Sequence, residues 1–329
     1  MYYNSIGLKL ITDNHGRKVT YLRLAVTDKC NLRCFYCMPE EGINWLNRKE
    51  LLSYEEMLRI CRVLVNMGIE KIRITGGEPF VRKDMMKLLR ELSLINGLKE
   101  ISLTTNGVLT APYIPELKAL GINSVNLSLD TLDAGRFFGI TRRDEFAAVM
   151  NTLDELLKHG MKVKINAVIM DGRNTQDIMP LVNLTRALPI SVRFIEEMPF
   201  NGESHVYQGL QWDYLRILAH ISESYPGIQK IKDAPYSTSY NYHIPGHRGN
   251  IGIIAAYSRT FCGTCNRIRL TPQGELKTCL YEGKGLQVKE LLRSGMNNEE
   301  LQQKLLHAMH QRAKDGWEAE ANAQSSPHE

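Results

Sequence analysis

Cys30-Asn31-Leu32-Arg33-Cys34-Phe35-Tyr36-Cys37 follows a short apolar, strand-like run over residues 21–27 and sets three thiols within eight residues. Iron–sulfur clusters are held by cysteine thiolates, usually four of them. A site that supplies three leaves one iron of a cubane open, and open coordination positions are where metal sites do chemistry. Zinc is a competing reading, but zinc pairs are typically CxxC completed by another Cys or a His. His15 is the nearest upstream, and no His follows closely. Three inert buried thiols are the plainer alternative, set against the oxidation hazard of three free cysteines so close together.

The run before the cysteines is the first beat of a rhythm. Apolar patterning predicts strands over residues 21–27, 71–75, 101–104, 124–129, 162–169 and 192–195, with helices over 54–67, 84–94, 114–120, 145–159 and 175–187 between them. Ser53 and Glu56 form a capping box for the first helix, and Gly68, Gly97, Gly121 and Gly160 each stand where a C′ glycine belongs. Six β-then-α units in succession imply a parallel sheet with right-handed crossovers. A doubly wound sheet and an open barrel satisfy that pattern equally. In either, ligands bind at the carboxyl ends of the strands, and polar motifs sit there: the cysteine run, Thr75-Gly76-Gly77-Glu78-Pro79, Thr104-Thr105-Asn106-Gly107, Ser128-Leu129-Asp130, then Lys164 and Asn166, and the stretch from Arg193 to Met198. Such convergence suits an enzyme better than a scaffold. The Gly76-Gly77 pair suits close backbone approach to a ligand, or simply a tight turn.

After Pro199 the rhythm changes. A helix is expected over 211–223, a connector over 225–241 and a strand over 251–256, with a domain boundary near residue 226, so that 1–225 form a core and 226–329 a smaller region. There stands a second triplet, Cys262-Gly263-Thr264-Cys265 and Cys279. It supplies three ligands for another cluster, or a zinc knuckle with His243 or His247 as fourth ligand, and spacing leaves these open. Arg267 and Arg269, at i and i+2 of an extended segment, point to the same side. They are a phosphate clamp or a solvated surface pair.

Composition is that of a globular chain: among 329 residues, 43% are hydrophobic and 23% charged, with net charge +5. Lys and Arg are spread rather than run together, which argues against nucleic acid as partner. No run of 18 apolar residues predicts a membrane span, residues 1–4 lack the blocks of a signal peptide, and seven cysteines without a secretory leader argue against a disulfide framework. Cys61, in the first helix, is expected as a core thiol. The expected location is cytoplasmic.

The CxxxCxxC run with an aromatic before its third Cys resembles the signature of the radical S-adenosylmethionine superfamily, and residues 75–79 resemble its glycine-rich methionine-binding motif. Adding Leu22-Arg23-Leu24, Thr104-Thr105-Asn106-Gly107, Arg193-Phe194-Ile195-Glu196 and the C-terminal triplet with its Arg-x-Arg, the chain is similar, from about Arg17 to Gly316, to the GTP 3′,8-cyclase family. The resemblance implies an incomplete parallel (β/α)6 barrel with a smaller C-terminal iron–sulfur domain, and a lyase that carries out the first step of molybdenum-cofactor biosynthesis. It implies two [4Fe–4S] clusters, held by Cys30, Cys34 and Cys37 and by Cys262, Cys265 and Cys279. It implies S-adenosyl-L-methionine contacts at Tyr36, Gly77, Ser128 and Met198, and GTP contacts at Arg23, Arg73, Thr104, Lys164, Arg267, Ile268 and Arg269. Reductive cleavage of the sulfonium would generate a 5′-deoxyadenosyl radical that takes the ribose 3′ hydrogen, before C3′ bonds to guanine C8. The implied partners are a flavodoxin- or ferredoxin-type electron donor and cyclic pyranopterin monophosphate synthase, with a monomer or homodimer as the working form. Two departures from this reading are weighed: a radical enzyme acting on a peptide, and a zinc-stabilised binding module. The family's usual closing Gly-Gly is replaced here by Pro327-His328-Glu329, and the roles of Arg193 and Glu196 stay open.

Overall fold

The computed structural model describes residues 10–198 and 209–325. The expectations placed on residues 1–4, on Pro199 and on residues 327–329 lie outside them. The six predicted βα units appear in order: β1 (Tyr21–Ala25), α1 (Tyr54–Asn66), β2 (Lys71–Thr75), α2 (Met85–Ser93), β3 (Glu100–Thr105), α3 (Ile114–Ala119), β4 (Ser124–Ser128), α4 (Ala134–Thr141), α5 (Phe146–Lys158), β5 (Lys162–Ile169), α6 (Ile178–Ala187) and β6 (Ser191–Glu196). There follow α7 (Tyr214–Ser224), β7 (Gln229–Lys230), β8 (Ser239–His243), β9 (Asn250–Ile254), β10 (Arg267–Leu270), β11 (Glu275–Lys277), β12 (Leu286–Gln287), α8 (Val288–Arg293), α9 (Asn298–His310) and α10 (Gly316–Ser325). The span 225–241, expected as a connector, instead contains β7 and the start of β8. Among the described residues no helix is long and apolar enough to cross a membrane.

The chain folds as two compact units, one of Met1–Asp28, Leu46–Ser102 and Cys262–Glu329, the other of Lys29–Trp45 and Leu103–Phe261. In the first, β1 pairs in parallel with both β2 and β10, and β11 and β12 continue antiparallel beyond β10. Leu22, Leu24, Ile72, Ile74, Ile268 and Leu270 are fully buried on one face of these strands. Helix α1 contributes Met57, Ile60 and Leu64 to the core. Its start is the predicted capping box: Ser53 Oγ accepts from the Glu56 amide (3.2 Å) and the Glu56 carboxylate accepts from the Ser53 amide (2.7 Å). Cys61 is buried in it as expected.

In the second unit, β4, β5, β6 and β9 run parallel, with β8 and β7 antiparallel at the far edge. Val125, Leu127, Ile165, Ala167, Val192, Phe194 and Ile251 fill one face. Helix α4 escaped prediction because its eight residues include Gly135 and Gly139, both poor helix formers. Asp133 caps it by accepting from the Arg136 amide (2.7 Å), and Phe137 and Ile140 bury its inner side.

Candidate active site

Three strands of the first unit carry one short pattern: Tyr21-Leu22-Arg23, Lys71-Ile72-Arg73 and Arg267-Ile268-Arg269. Side chains alternate between the faces of a strand. The register sets Tyr21 beside Lys71 and Arg267, and Arg23 beside Arg73 and Arg269. Since Leu22, Ile72 and Ile268 fill the apolar face, the outer residues of each triplet form two rows on the opposite face, Arg267–Tyr21–Lys71 and Arg269–Arg23–Arg73. Ile268 therefore shares the strand but not the face; a ligand on the arginine side meets only its backbone. Lys71, Arg73 and Arg267 stand over the Tyr21 ring at 5.2, 5.5 and 5.6 Å, a cation–π arrangement. Lys71 also pairs with Glu100 (2.6 Å), and Arg73 Nε donates to Ser102 Oγ (3.4 Å). Burial, and then the charge of Arg73, pushes Arg23 down to about 10; burial, and then Arg23, does the same to Arg269. Mutually repelling guanidinia on one face are what a polyanion would relieve.

At the end of β2 the chain runs hard against the end of β1. The Gly77 amide donates to the Thr27 carbonyl (2.8 Å), and a Cβ on Gly76 would stand 2.6 Å from that same oxygen. Only glycine allows this approach. Glu78, fully buried, accepts from the Phe80 amide (3.2 Å).

The CxxxCxxC loop belongs to the second unit. Its Arg33 and Phe35 amides donate to the Thr141 and Ile140 carbonyls at the end of α4 (2.9 and 3.1 Å), and Cys37 N donates to Cys34 O (2.9 Å). Cys30 Sγ accepts from Leu32 N (3.4 Å) and from Asn106 Nδ2 (3.7 Å), which also holds Asn31 (2.8 Å). Three thiols on one loop, with N–H donors already aimed at a sulfur, fit the ligand set and outer-shell hydrogen bonding of a cluster. Burial and the neighbouring Cys37 raise the Cys34 thiol; burial and Cys30 raise Cys37 to about 12, so these groups stand close enough to repel as thiolates. Tyr36 donates through its hydroxyl to Asp130 Oδ2 (2.8 Å), while Asp130 Oδ1 accepts from Val168 N (2.8 Å). Cys34, Tyr36, Asn106, Ser128 and Asp130 line one cavity.

Burial pushes Asp130 up to about 6 against those two hydrogen bonds, with Asp177 adding to the rise. An acid whose folded value exceeds its unfolded value, about 3.9, makes the folded protein bind the extra proton between the two, so stability falls as pH rises from about 4 to about 6. Asp130→Asn is expected to remove that slope and to add about 2–3 kcal/mol at pH 7. Melting curves of the iron-free protein from pH 4 to 7.5 check this; a variant whose pH slope matches the parent's would contradict it.

Further polar residues of the second unit also share a face. Register sets Asn126 beside Lys164, and Ser128 beside Asn166, which in turn faces Arg193. Asn126 Oδ1, Asn166 Oδ1 and, on β3, Thr104 Oγ1 are buried with no hydrogen-bond partner. Buried polar atoms left unmet are costly, and a bound ligand would satisfy them. Arg193 lies opposite Gly252, whose hypothetical Cβ would sit 3.3 Å from Arg193 Cγ, so glycine there leaves room for the arginine. Glu196 proves to be a brace: fully buried, it accepts from Tyr214 N (2.8 Å), Ser258 N (2.8 Å) and Ser258 Oγ (2.9 Å). Met198 is the last described residue of that stretch and is half-buried. His247, weighed as a zinc ligand, is hydrogen-bonded through Nδ1 to Thr185 (2.8 Å).

In the first unit, Cys262 opens a short 3-10 turn, Cys265 N donates to Cys262 O (3.1 Å), and Cys279 follows β11 with its amide on the Glu282 carboxylate (3.4 Å). Burial raises Cys262 and Cys279, and other thiols of the triplet raise them further. Burial also acts to raise Cys265, but Arg312, Arg267 and Arg269 outweigh it and hold that thiol below its ordinary value. Three thiols, one of them beside guanidinia, again supply the donor types of a cluster.

The model for the Radical SAM superfamily matches residues 24–185, and that for Molybdenum Cofactor Synthesis C matches residues 190–317. A GTP 3′,8-cyclase from Peptoclostridium acidaminophilum is 42% identical over 290 residues, covering 87% of this chain and 88% of its own. Molybdenum cofactor biosynthesis protein 1 of Mus musculus is 43% identical over 292 residues, 88% of this chain but 46% of its own, so the chain spans about half the length of that relative. Among solved structures, Streptococcus suis SuiB bound to S-adenosylmethionine aligns over 81% of this chain and 60% of its own, with a TM-score of 0.58 at 15% identity. The native anSMEcpe with bound AdoMet aligns over 92% and 94%, with a TM-score of 0.53 at 16% identity. These two bear on fold alone, and they favour the incomplete barrel over the doubly wound sheet.

Proposed function

The chain belongs to the GTP 3′,8-cyclase family of radical S-adenosylmethionine proteins, and on that footing we propose that it converts GTP to (8S)-3′,8-cyclo-7,8-dihydroguanosine 5′-triphosphate, the first step of molybdenum-cofactor biosynthesis. The observation that carries this reading is the gathering of Arg267, Lys71, Arg269, Arg23 and Arg73 on one face of β10, β1 and β2, suited to a small polyanion in a sequence with no P-loop. GTP brings about four negative charges, and guanidinium forks match phosphate oxygens bidentately.

Cys30, Cys34 and Cys37 hold one [4Fe–4S] cluster, and Cys262, Cys265 and Cys279 hold another. The first cluster and S-adenosyl-L-methionine together supply a carbon radical able to take an unactivated ribose hydrogen. The protein's share is binding and orientation. Tyr36, Gly77, Ser128 and Met198 would contact the cofactor. Asp130 fixes Tyr36 through the phenol and so sets the orientation of the cysteine loop's last turn. Arg23, Arg73, Arg267 and Arg269 bind phosphate and ribose, the Ile268 backbone lies beside them, and Thr104 and Lys164 contribute polar contacts to GTP. Asn126 and Asn166, with their unmet carbonyl oxygens, would meet a ligand on the second unit's polar face. Exclusion of water from these surfaces protects the reactive radical. The electron donor is of flavodoxin or ferredoxin type, the product passes to cyclic pyranopterin monophosphate synthase, and the setting is cytoplasmic. The region from about residue 226 onward forms the auxiliary-cluster and GTP-binding part.

Metal analysis of anaerobically reconstituted protein tests the two-cluster assignment. About eight irons and eight sulfides per chain are expected from two cubanes; four irons with one zinc would sink it.

A further inference from the structure

Asp13 is a buried carboxylate with a fully covered side chain, and two arginines converge on it. Arg17 donates Nε to Asp13 Oδ2 (2.6 Å) and Arg312 donates from a terminal nitrogen to the same oxygen (3.2 Å). Each arginine then reaches a different cysteine of the Cys262-Gly263-Thr264-Cys265 turn. Arg17 donates to the Cys262 carbonyl (3.1 Å), and also to the Ala313 carbonyl (2.8 Å). Arg312 straddles Cys265: one terminal nitrogen donates to the Cys265 carbonyl (3.0 Å), the other to its sulfur (3.2 Å) and to the Arg267 carbonyl (3.0 Å). Arg312 is 3% exposed, so its charge is spent inside the fold and not on solvent.

A guanidinium used only to tie the segment after α9 to the cysteine turn would need the two carbonyls and nothing more. Its second nitrogen, besides the Arg267 carbonyl, also reaches the Cys265 sulfur. Hydrogen bonds to ligand sulfurs, and positive charge beside them, stabilise the reduced, more negative state of a cluster and orient the ligating thiolate. Resting on the assignment of Cys265 as a cluster ligand, we propose that Arg312 is a positioning residue for the second cluster: buttressed by Asp13, it orients the Cys265 thiolate and raises the cluster's reduction potential. Arg17 is its counterpart on the other side of Asp13, holding the Cys262 backbone.

The test uses the full chain carrying Cys30→Ala, Cys34→Ala and Cys37→Ala, so that bound iron reports on the second triplet, followed by redox titration monitored by electron paramagnetic resonance. The parent variant is expected to bind about four irons. With Arg312→Gln added, the midpoint potential is expected to move to more negative values and the spectrum of the reduced cluster to change. Arg312→Lys, which keeps the charge without the fork, should lie between. A fully loaded Arg312→Gln protein with the parent's potential and spectrum overturns the proposal. If Arg312→Gln binds no iron, Arg312→Lys decides: a lowered potential supports the role, and the parent's potential refutes it. A parent variant that binds no iron with Cys262, Cys265 and Cys279 intact removes the cluster assignment itself, and the proposal falls with it.

Discussion

Arg269→Met is expected to raise the melting temperature of the nucleotide-free protein and, on the proposed function, to weaken GTP binding by about a hundredfold. Both effects come from the row Arg269–Arg23–Arg73. Without a ligand, burial first and the neighbouring like charge second push Arg23 and Arg269 down to about 10. A base whose folded value lies below its unfolded value destabilises the fold throughout the range below the folded value, so at pH 7 the whole cost is present. Water still reaches these half-buried side chains, which reduces the gain on removal to about 1–2 kcal/mol. A bound triphosphate would pair that same charge. Truncating one partner of a close charge pair then costs about 3 kcal/mol, or two decades in affinity. Melting curves with and without GTP, together with equilibrium dialysis, separate the two effects. A variant that melts lower than the parent and binds GTP equally well would show that the row is a structural ion lattice.

Asp13→Ala is expected to cost the first unit a large part of its stability. The carboxylate carries two arginines and sits out of water. Its removal leaves two buried positive charges unpaired, and breaking a buried pair from one side costs about 3–5 kcal/mol. Burial acts to raise the Asp13 carboxyl, but hydrogen bonds from the Arg17 amide and side chain and the His15 amide hold it below its ordinary value. A carboxyl lowered in the fold stabilises above its unfolded value, and that contribution is lost as pH falls through it. The gap between parent and variant in urea unfolding should therefore be widest near pH 7 and narrow below about pH 4. A constant gap across that range would place the effect in packing instead of charge.

Most of the barrel-forming units were legible because each obeys a local rule. β2 and β5 match their predicted bounds, since Lys71-Ile72-Arg73-Ile74-Thr75 and the run 162–169 alternate cleanly and end at turn residues. The capping box at Ser53 was legible for the same reason: both of its partners lie within four residues. α4 was not, because its glycines argue against a helix and the burial of Phe137 and Ile140 that overrides them is tertiary. Nor was the attachment of β10 to β1, a pairing between segments more than two hundred residues apart.

The site divides similarly. The cysteines and arginines announce themselves by spacing. The repeated triplets at residues 21–23, 71–73 and 267–269 held a further signal, that Tyr21 and Lys71 join the arginine face, and it was missed because a single strand does not reveal its neighbours. Asp130 was marked as a strand-end polar group, but its bond to Tyr36 depends on how the loop docks on α4. Asp13 and Arg312 stand 299 residues apart, and no local pattern links them.

The most direct test of the cyclase reading incubates anaerobically reconstituted protein with dithionite, S-adenosyl-L-methionine and GTP, and follows the nucleosides by mass spectrometry. 5′-Deoxyadenosine is expected in amounts that depend on GTP, together with a cyclised nucleotide of the same mass as GTP. Deoxyadenosine formed at the same rate without GTP, and GTP recovered unchanged, would contradict it.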